Sequence, residues 1–346
     1  MRRHLNTIYV TSEDAYVRKD GANIVVEVDG TERGRAPIHM IGGLICFGRA
    51  GASPAVLAAC AEAGVAVSLL TPNGRFIARV EGPRSGNVLL RRAQYRRADD
   101  PLRATEIVCG IVAAKAANQR TVLRRALRDH GPTMPDAALR AIETAETRLT
   151  DIAHRTLRAP DIAGLRGIEG EAAQVYFGVF DHLIRVDDRA FAFTVRSRRP
   201  PLDRINALLS FLYAMLGHDC RSALETVGLD PQVGYLHADR PGRASLALDL
   251  MEEMRPVLAD RLALSLVNRR QLVSKDFTVE DGGAVLLTDA ARKDVLVAYQ
   301  ERKKAELLHP FLGEKVTLGL VPHIQAQLLA RYLRGDIDGY PAFIWK

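Results

Sequence analysis

The pattern of apolar and polar positions changes once along the chain. Residues 5–82 contain short runs rich in β-branched residues, separated by turn residues such as Asp29-Gly30. The predicted strands are NTIYV, AYVRK, NIVVEV, APIHM, VAVSLL and RFIARV. One helix, SPAVLAACAEAG, is predicted among them, because Ser53 suits its N-cap, Pro54 its first turn and Gly64 its end.

From Pro101 onward, apolar residues recur every three or four positions, which predicts helices. These helices are predicted over 101–128, 135–157, 168–184, 203–226, 245–270, 288–307 and 319–334. The predicted fold class is therefore α+β. A small β-rich N-terminal domain spans 1–84, an arginine-rich connector spans 85–100, and a larger all-α domain spans 101–346.

The charge indicates an acidic partner. The net charge is +7, and only eight of the 48 basic residues are lysines, so the rest are arginines, which form forked contacts to phosphate. A GC-rich genome is the alternative reason for so much arginine. The candidate phosphate contacts are Arg91, Arg92, Arg96, Arg97, Arg196, Arg198 and Arg199. For each of them the alternative is a solvated or ion-paired surface arginine.

Other features limit the class of protein. No run reaches the roughly 18 to 20 apolar residues that a membrane helix needs, and the first residues have no apolar signal region. The four cysteines are scattered and form no CxxC pair, which predicts reduced thiols in the cytoplasm.

The segment SLALDLMEEMRP carries three carboxylates in an apolar helix. Asp249, Glu252 and Glu253 share one face, where they repel each other unless a bound cation reverses the interaction. At about 100° per residue, both Glu252 and Glu253 can join a site at Asp249. Mg²⁺ and Mn²⁺ take oxygen ligands, and the nearby His237 favours Mn²⁺. Ser245 is the predicted N-cap of this helix.

A second acidic segment, RGIEGEAAQ, offers Glu169. Ala172 and Ala173 follow it on the same face and would let another helix approach, whereas Glu171 points away and is predicted to be solvated or ion-paired. Taken alone, an acidic triplet is usually a solvated face and a histidine usually structural. Read together, the two segments favour a divalent metal site.

Several common catalytic motifs are missing from the sequence. It contains no GxxxxGK[ST], HExxH, GxSxG or GxGxxG. An acidic metal centre without a nucleoside triphosphate site predicts hydrolytic or energy-neutral phosphodiester chemistry.

The blocks RGIEG, GYLH and SLALDLMEEMRP, in that order, resemble the three metal-binding blocks of the CRISPR-associated adaptation endonuclease, the integrase of spacer acquisition. The resemblance covers almost the whole chain, including FTVRSRRPPLDRINALLSFLYAML. The ending GYPAFIWK is similar to members from type I subtype C systems.

The resemblance implies that Glu169, His237, Asp249 and Glu252 are catalytic and bind Mg²⁺ or Mn²⁺. It also implies an antiviral function: the 3′-hydroxyl of a double-stranded DNA fragment attacks a CRISPR repeat by transesterification. The implied assembly is a heterohexamer of homodimers with a small second adaptation protein, and the β-rich domain is the expected dimerisation unit.

Two alternatives stay open at the level of sequence. One is a non-catalytic nucleic-acid-binding scaffold, and the other is a structure-specific nuclease acting on branched DNA. Tyr176 and Tyr213 are candidates either for stacking on DNA or for the core, and Trp345 for packing on the protein or on a partner.

Overall fold

The computed structural model describes residues 6–12, 14–74, 76–80, 82 and 88–345. The boundary predicted between residues 84 and 85 lies outside the described residues, as do Arg75 of one predicted strand and residues 85–87 of the connector. Within the described part, no helix is long and apolar enough to cross a membrane.

Two four-stranded sheets form the N-terminal region. The strands of the first are β1 (Thr7–Val10), β5 (Gly43–Phe47), β7 (Ala66–Leu70) and β8 (Phe76–Val80), in that spatial order. β1, β5 and β7 run parallel, and β8 is antiparallel to β7. The second sheet has the order β4 (Thr31–Pro37), β3 (Asn23–Val28), β2 (Ala15–Asp20) and β6 (Gly51–Ala52).

Helix α1 (Pro54–Glu62) contacts β2 and β7, and so packs on both sheets. Its start is the predicted one, because the Ser53 side chain accepts a hydrogen bond from the Val56 N–H. Strand β5 was not predicted. Its sequence, GLICF, is buried on both faces, so it has no apolar–polar alternation to signal a strand.

The remainder of the chain is mainly helical. After α2 (Val88–Ala98), the long α3 (Pro101–His130) runs through the main core beside α4 (Asp136–Thr156) and α5 (Ile162–Gly178). The later helices are α6 (Arg204–Val227), α7 (Ser245–Glu252), α8 (Arg261–Asn268), α9 (Asp289–Lys303) and α10 (Val321–Arg334).

Four features of this region differ from the prediction. Helix α5 spans Ile162–Gly178 rather than 168–184. The helix predicted over 245–270 is interrupted by a π-helical segment, Arg255–Asp260, so that α7 ends at Glu252. Ser245 is not the N-cap, which is Ala244. Instead, the Ser245 hydroxyl donates to the Ala238 carbonyl. Two short hairpins also interrupt the helices: β9 (Phe277–Val279) with β10 (Val285–Leu287), and β11 (Glu306–Leu308) with β12 (Lys315–Thr317).

Candidate active site

Asp249 holds the loop that carries His237. Its Oδ2 accepts the backbone N–H groups of Tyr235 (2.6 Å) and Leu236 (3.0 Å), and its Oδ1 accepts the His237 N–H (2.9 Å). His237 Nδ1 lies 2.7 Å from the same Oδ1. Because the carboxylate can only accept, the proton lies on Nδ1, and the neutral form of His237 presents a lone pair on Nε2.

The loop needs a glycine where it crosses α7. A Cβ on Gly234 would lie 2.8 Å from the Ser245 Cβ and 2.9 Å from Asp249 Oδ2, well inside van der Waals contact. The loop therefore approaches α7 closely enough for three successive N–H groups to reach one carboxylate.

Two other helices hold the same loop. Arg166, on α5, donates from Nε to the Leu236 carbonyl at 2.6 Å. The buried Gln94, on α2, donates to the carbonyls of Asp230 (2.8 Å) and Val233 (2.9 Å). Helices α2, α5 and α7 therefore all contact this loop.

Glu252 lies one turn beyond Asp249 and is almost fully buried, at 1% exposure. Its Oε1 is 2.8 Å from Arg255 Nη1 and 3.9 Å from His237 Nε2, while its Oε2 is 2.7 Å from Lys115 Nζ. Burial disfavours the charged carboxylate, but Arg255 and Lys115 outweigh it and lower the pKa of Glu252 below its ordinary value.

Glu169 reaches the same place from α5. Its Oε1 contacts Lys115 Nζ, so a single ammonium group bridges Glu169 and Glu252. Helix α3 reaches the Glu169 side of α5 through Lys115, and Ala172, about one turn after Glu169, is completely buried. Glu171 is ion-paired, which is one of the two predicted environments, since Arg155 Nη2 lies 2.5 Å from its Oε2 and lowers the pKa of that carboxyl.

The predicted residues therefore lie near one another, but their side chains are not arranged to coordinate one metal ion. In the described portions of the chain, no three His, Cys, Asp or Glu side chains are grouped so that they could hold a metal ion, and Lys115 separates Glu169 from Glu252. An open cleft of about 350 Å³ adjoins the site, and His237, Arg166 and Tyr95 are among the residues that line it.

Glu253 faces the opposite way, into the core. Its carboxylate accepts hydrogen bonds from Tyr340 Oη (2.6 Å), the Phe343 N–H (2.7 Å) and Gln325 Nε2 (3.0 Å). Burial raises its pKa to about 7, against the opposing effect of these three donors. Asn118 links the same two segments, because its side-chain amide donates to the backbone carbonyls of Glu253 and Phe343.

The candidate phosphate contacts fall into two groups. Arg92, Arg96, Arg198 and Arg199 are exposed, and Arg91 is half-buried. Arg97 and Arg196 have internal partners. Arg97 is 3.5 Å from Glu106 and lies over the Tyr332 ring, and Arg196 donates to Asn206 Oδ1 at 2.6 Å and lies over the Tyr213 ring.

The aromatic candidates pack on the protein. Tyr176 is completely buried in the main core. Tyr213 donates to Asp260 Oδ1 at 2.7 Å. Trp345 is 9% exposed, and the guanidinium groups of Arg125 and Arg261 lie 3.8 Å and 4.6 Å from its ring centre.

Sequence reasoning missed the cations of the site. Lys115 is the only charged residue between Glu106 and Arg120, and the residues around it from 107 to 117 are otherwise apolar, so its isolation was the available signal. Arg255 lies three residues after Glu252, a spacing typical of a helical ion pair.

A profile of the family described as CRISPR associated protein Cas1 matches residues 8–301. The chain belongs to the Cas1 family. A CRISPR-associated endonuclease Cas1 of Rhodospirillum rubrum is 60% identical over the full length of both chains. Another Cas1 endonuclease, from Chlorobaculum tepidum, is 51% identical over the full length of both.

The Cas1 fold extends to a more distant structure. A casposase bound to an integration product superposes with a TM-score of 0.81 at 23% identity, covering 98% of this chain and 94% of the casposase. This likeness shows a common fold, with the β-rich region followed by the helical one.

Proposed function

We propose that this protein is a divalent-metal-dependent endonuclease and integrase that inserts new spacers into a CRISPR array by 3′-hydroxyl transesterification. The observation that carries the proposal is that Glu252 shares the Lys115 ammonium group with Glu169 and lies 3.9 Å from Nε2 of His237, which lines an open cleft. Family membership and the Cas1 endonucleases of high identity support the same activity.

The residues present suit Mg²⁺ or Mn²⁺. Glu252 Oε2 is buried and receives no aligned hydrogen bond among the described residues, although Lys115 Nζ is near it. His237 Nε2 carries a lone pair, because its Nδ1 proton is held by Asp249. Two carboxylates and one imidazole are a donor set that hard divalent cations accept, Mn²⁺ more readily than Mg²⁺.

We assign Glu169, His237 and Glu252 as the metal ligands. Both oxygens of Asp249 already accept N–H groups, so the prediction that Asp249 also ligates the metal would require it to give up hydrogen bonds. Its role in this proposal is to fix the orientation and the protonated nitrogen of His237.

When bound, the cation would stabilise negative charge on the phosphodiester oxygens during exchange. His237 keeps its proton on Nδ1 and serves as a ligand rather than as a general base. In the exchange, the 3′-oxygen of the fragment forms a bond to phosphorus while the bond from phosphorus to the 3′-oxygen of the array strand breaks. The proton lost by the attacking hydroxyl is balanced by one gained by the leaving oxygen. The number of phosphodiester bonds is unchanged, so no nucleoside triphosphate is needed.

The proposed substrates and partners follow from the family. Double-stranded DNA would supply both the fragment and the repeat, and a homodimer of this chain would assemble with a small second adaptation protein into a heterohexamer. A solved complex of related fold is named as containing Cas1 and Cas2.

The test is a joining assay with a 3′-hydroxyl duplex and a supercoiled plasmid carrying the repeat, with and without the small partner. Joining that depends on Mn²⁺ or Mg²⁺ is expected for the unaltered protein, and Glu169→Gln, His237→Asn and Glu252→Gln should each reduce its rate by at least about 100-fold.

Glu171→Gln is the matched control, because Glu171 lies on the same helix as Glu169 but pairs with Arg155 at the surface. It should join at the normal rate. Metal-independent joining would reject the metal dependence of the proposal. DNA binding without any joining under all conditions would reject the proposal in favour of a scaffold. Cleavage of branched DNA without joining would favour a structure-specific nuclease.

A further inference from the structure

Lys115 is a buried charge whose two partners both belong to the proposed metal site. The side chain is 5% exposed, and its Nζ contacts Glu169 Oε1 and lies 2.7 Å from Glu252 Oε2. A lysine so deep in the core is stable only when its charge is compensated. Here the compensation comes from the two carboxylates assigned to the cation.

The charged side chains around the site carry a net charge of −1. Glu169, Asp249 and Glu252 supply three negative charges, while Lys115 and Arg255 supply two positive ones. A divalent cation and the Lys115 ammonium group therefore compete for the same carboxylate oxygens. Both positive charges stabilise the carboxylates, but the cation and the ammonium group repel each other at short range.

Of the two basic residues, Lys115 is the one able to move. The Arg255 guanidinium pairs with Glu252 Oε1 at 2.8 Å and lies over the Tyr213 ring, 4.8 Å from its centre, so it is held on two sides. Lys115 ends in a compact ammonium group on a flexible four-carbon chain. Its partner Glu169 is 26% exposed, so this end of the ion-pair network opens toward solvent.

We propose that Lys115 is an exchangeable internal cation: it holds Glu169 and Glu252 together in the metal-free protein, and a divalent cation displaces it from them. Lys115 thereby lowers the affinity of the site for the metal. This inference rests on the proposed function, since it takes Glu169 and Glu252 as metal ligands.

The experiment is a Mn²⁺ titration of the full-length protein, with free Mn²⁺ measured by electron paramagnetic resonance. Lys115→Met removes the competing charge and is expected to bind Mn²⁺ at least about tenfold more tightly, which corresponds to about 1.4 kcal/mol. Lys115→Arg keeps a charge that cannot be neutralised and binds carboxylates in a fork, so it should bind Mn²⁺ more weakly than the unaltered protein.

Lys303→Met is the matched control. Lys303 is also 5% exposed at its side chain and is paired with Asp219 at 2.9 Å, away from Glu169 and Glu252. Its substitution should leave Mn²⁺ affinity unchanged. If Lys115 only arranged the carboxylates, Lys115→Met would bind Mn²⁺ less tightly, so weaker or unchanged binding overturns the inference.

A second measurement uses the unaltered protein and does not depend on the folding of Lys115→Met. An amine-acylating reagent followed by peptide mapping should modify Lys115 faster when Mn²⁺ is present, with Lys303 unaffected. Equal modification of Lys115 with and without Mn²⁺ overturns the inference.

Failure of the proposed function is recognised separately. Glu169→Gln and Glu252→Gln should each weaken Mn²⁺ binding, and normal binding by both would show that the metal site is assigned wrongly. If both weaken binding while Lys115→Met does not strengthen it, only the role of Lys115 is rejected.

Discussion

At the scale of the residue, neighbouring carboxylates on one short helix have different environments. Asp249 accepts four N–H groups, Glu252 pairs with two cations, and Glu253 accepts hydrogen bonds from the 340–343 segment. The helix phase left Glu252 and Glu253 equally able to join the site. The structure separates them by their partners, because Glu252 pairs with Lys115 and Arg255 while Glu253 accepts hydrogen bonds from Tyr340 and Phe343.

Asp260, at the end of the π-helical segment, provides a prediction about pH. It is 1% exposed, and the groups around it are Tyr213, Tyr176, Arg255 and Arg196. Burial dominates, and its pKa is raised from 3.8 to about 6. The folded protein therefore binds this proton more tightly than the unfolded chain does, and the contribution of Asp260 to stability falls as the pH rises from about 4 to about 6.

The measurement compares thermal unfolding of the unaltered protein with that of Asp260→Asn between pH 4 and pH 7. The variant cannot ionise here, so its stability relative to the unaltered protein should rise by up to about 3 kcal/mol across that window and then level off. A constant difference, or one that shrinks as the pH rises, would contradict the raised pKa.

At the scale of the element, the candidate active site depends on a loop packed against a helix. Residues 233–237 lie in neither a helix nor a strand, yet Asp249, Arg166 and Gln94 hold them from three helices. Because backbone N–H groups make most of the contacts to Asp249, the loop's distance from α7 matters more than its side chains.

Gly234→Ala tests this packing. Its Cβ would lie within 3 Å of Ser245 and Asp249 atoms, so the loop should move away from α7 and carry His237 with it. A displacement of about 1 Å is expected to reduce the joining rate about 100-fold, with weaker Mn²⁺ binding.

Gly167→Ala is the matched control, because a Cβ there meets nothing within 4 Å. It should join normally and be slightly more stable, as alanine is favoured over glycine in a helix. Normal joining by Gly234→Ala would show that the loop tolerates the displacement.

At the scale of the whole molecule, the exposed arginines of α2 lie on a helix that contacts the loop of the candidate site. Helix α2 carries the exposed Arg92 and Arg96, and its buried Gln94 holds the loop that leads to His237. Tyr95, on the same helix, lines the cleft. A DNA strand that follows α2 would therefore arrive beside the proposed ligands.

The salt dependence of DNA binding tests this path. Replacing Arg91, Arg92 and Arg96 with alanine should reduce the slope of log K against log salt by about 0.9 for each phosphate that is no longer neutralised by an arginine. Sequence preference on the fragment should not change, because phosphate contacts do not read bases.

Alanine at Arg124, Arg140 and Arg158, on the surface formed by α3, α4 and the residues after α4, removes the same charge elsewhere. This triple variant should retain the original slope. Equal effects of the two triple variants would indicate attraction by net charge alone rather than a path along α2.

The sequence by itself determined the change from a β-rich to a helical region, the start of α1 and the direction of Glu171 away from Glu169. These follow from local periodicity, cap chemistry and helix phase, which act over a few residues. It did not reveal β5, because a strand buried on both faces lacks alternation.

Only the tertiary structure decided the roles within the site. Lys115 lies 54 residues before Glu169 in sequence and joins it to Glu252, and the 340–343 segment turns Glu253 away from the cleft. These assignments rest on contacts between distant parts of the chain, and no periodic pattern records them. The environment of each buried carboxylate depends on which surfaces pack together. In the low-dielectric interior a charge needs a partner, which here is a cation for Glu252, backbone N–H groups for Asp249 and hydrogen-bond donors of the 340–343 segment for Glu253.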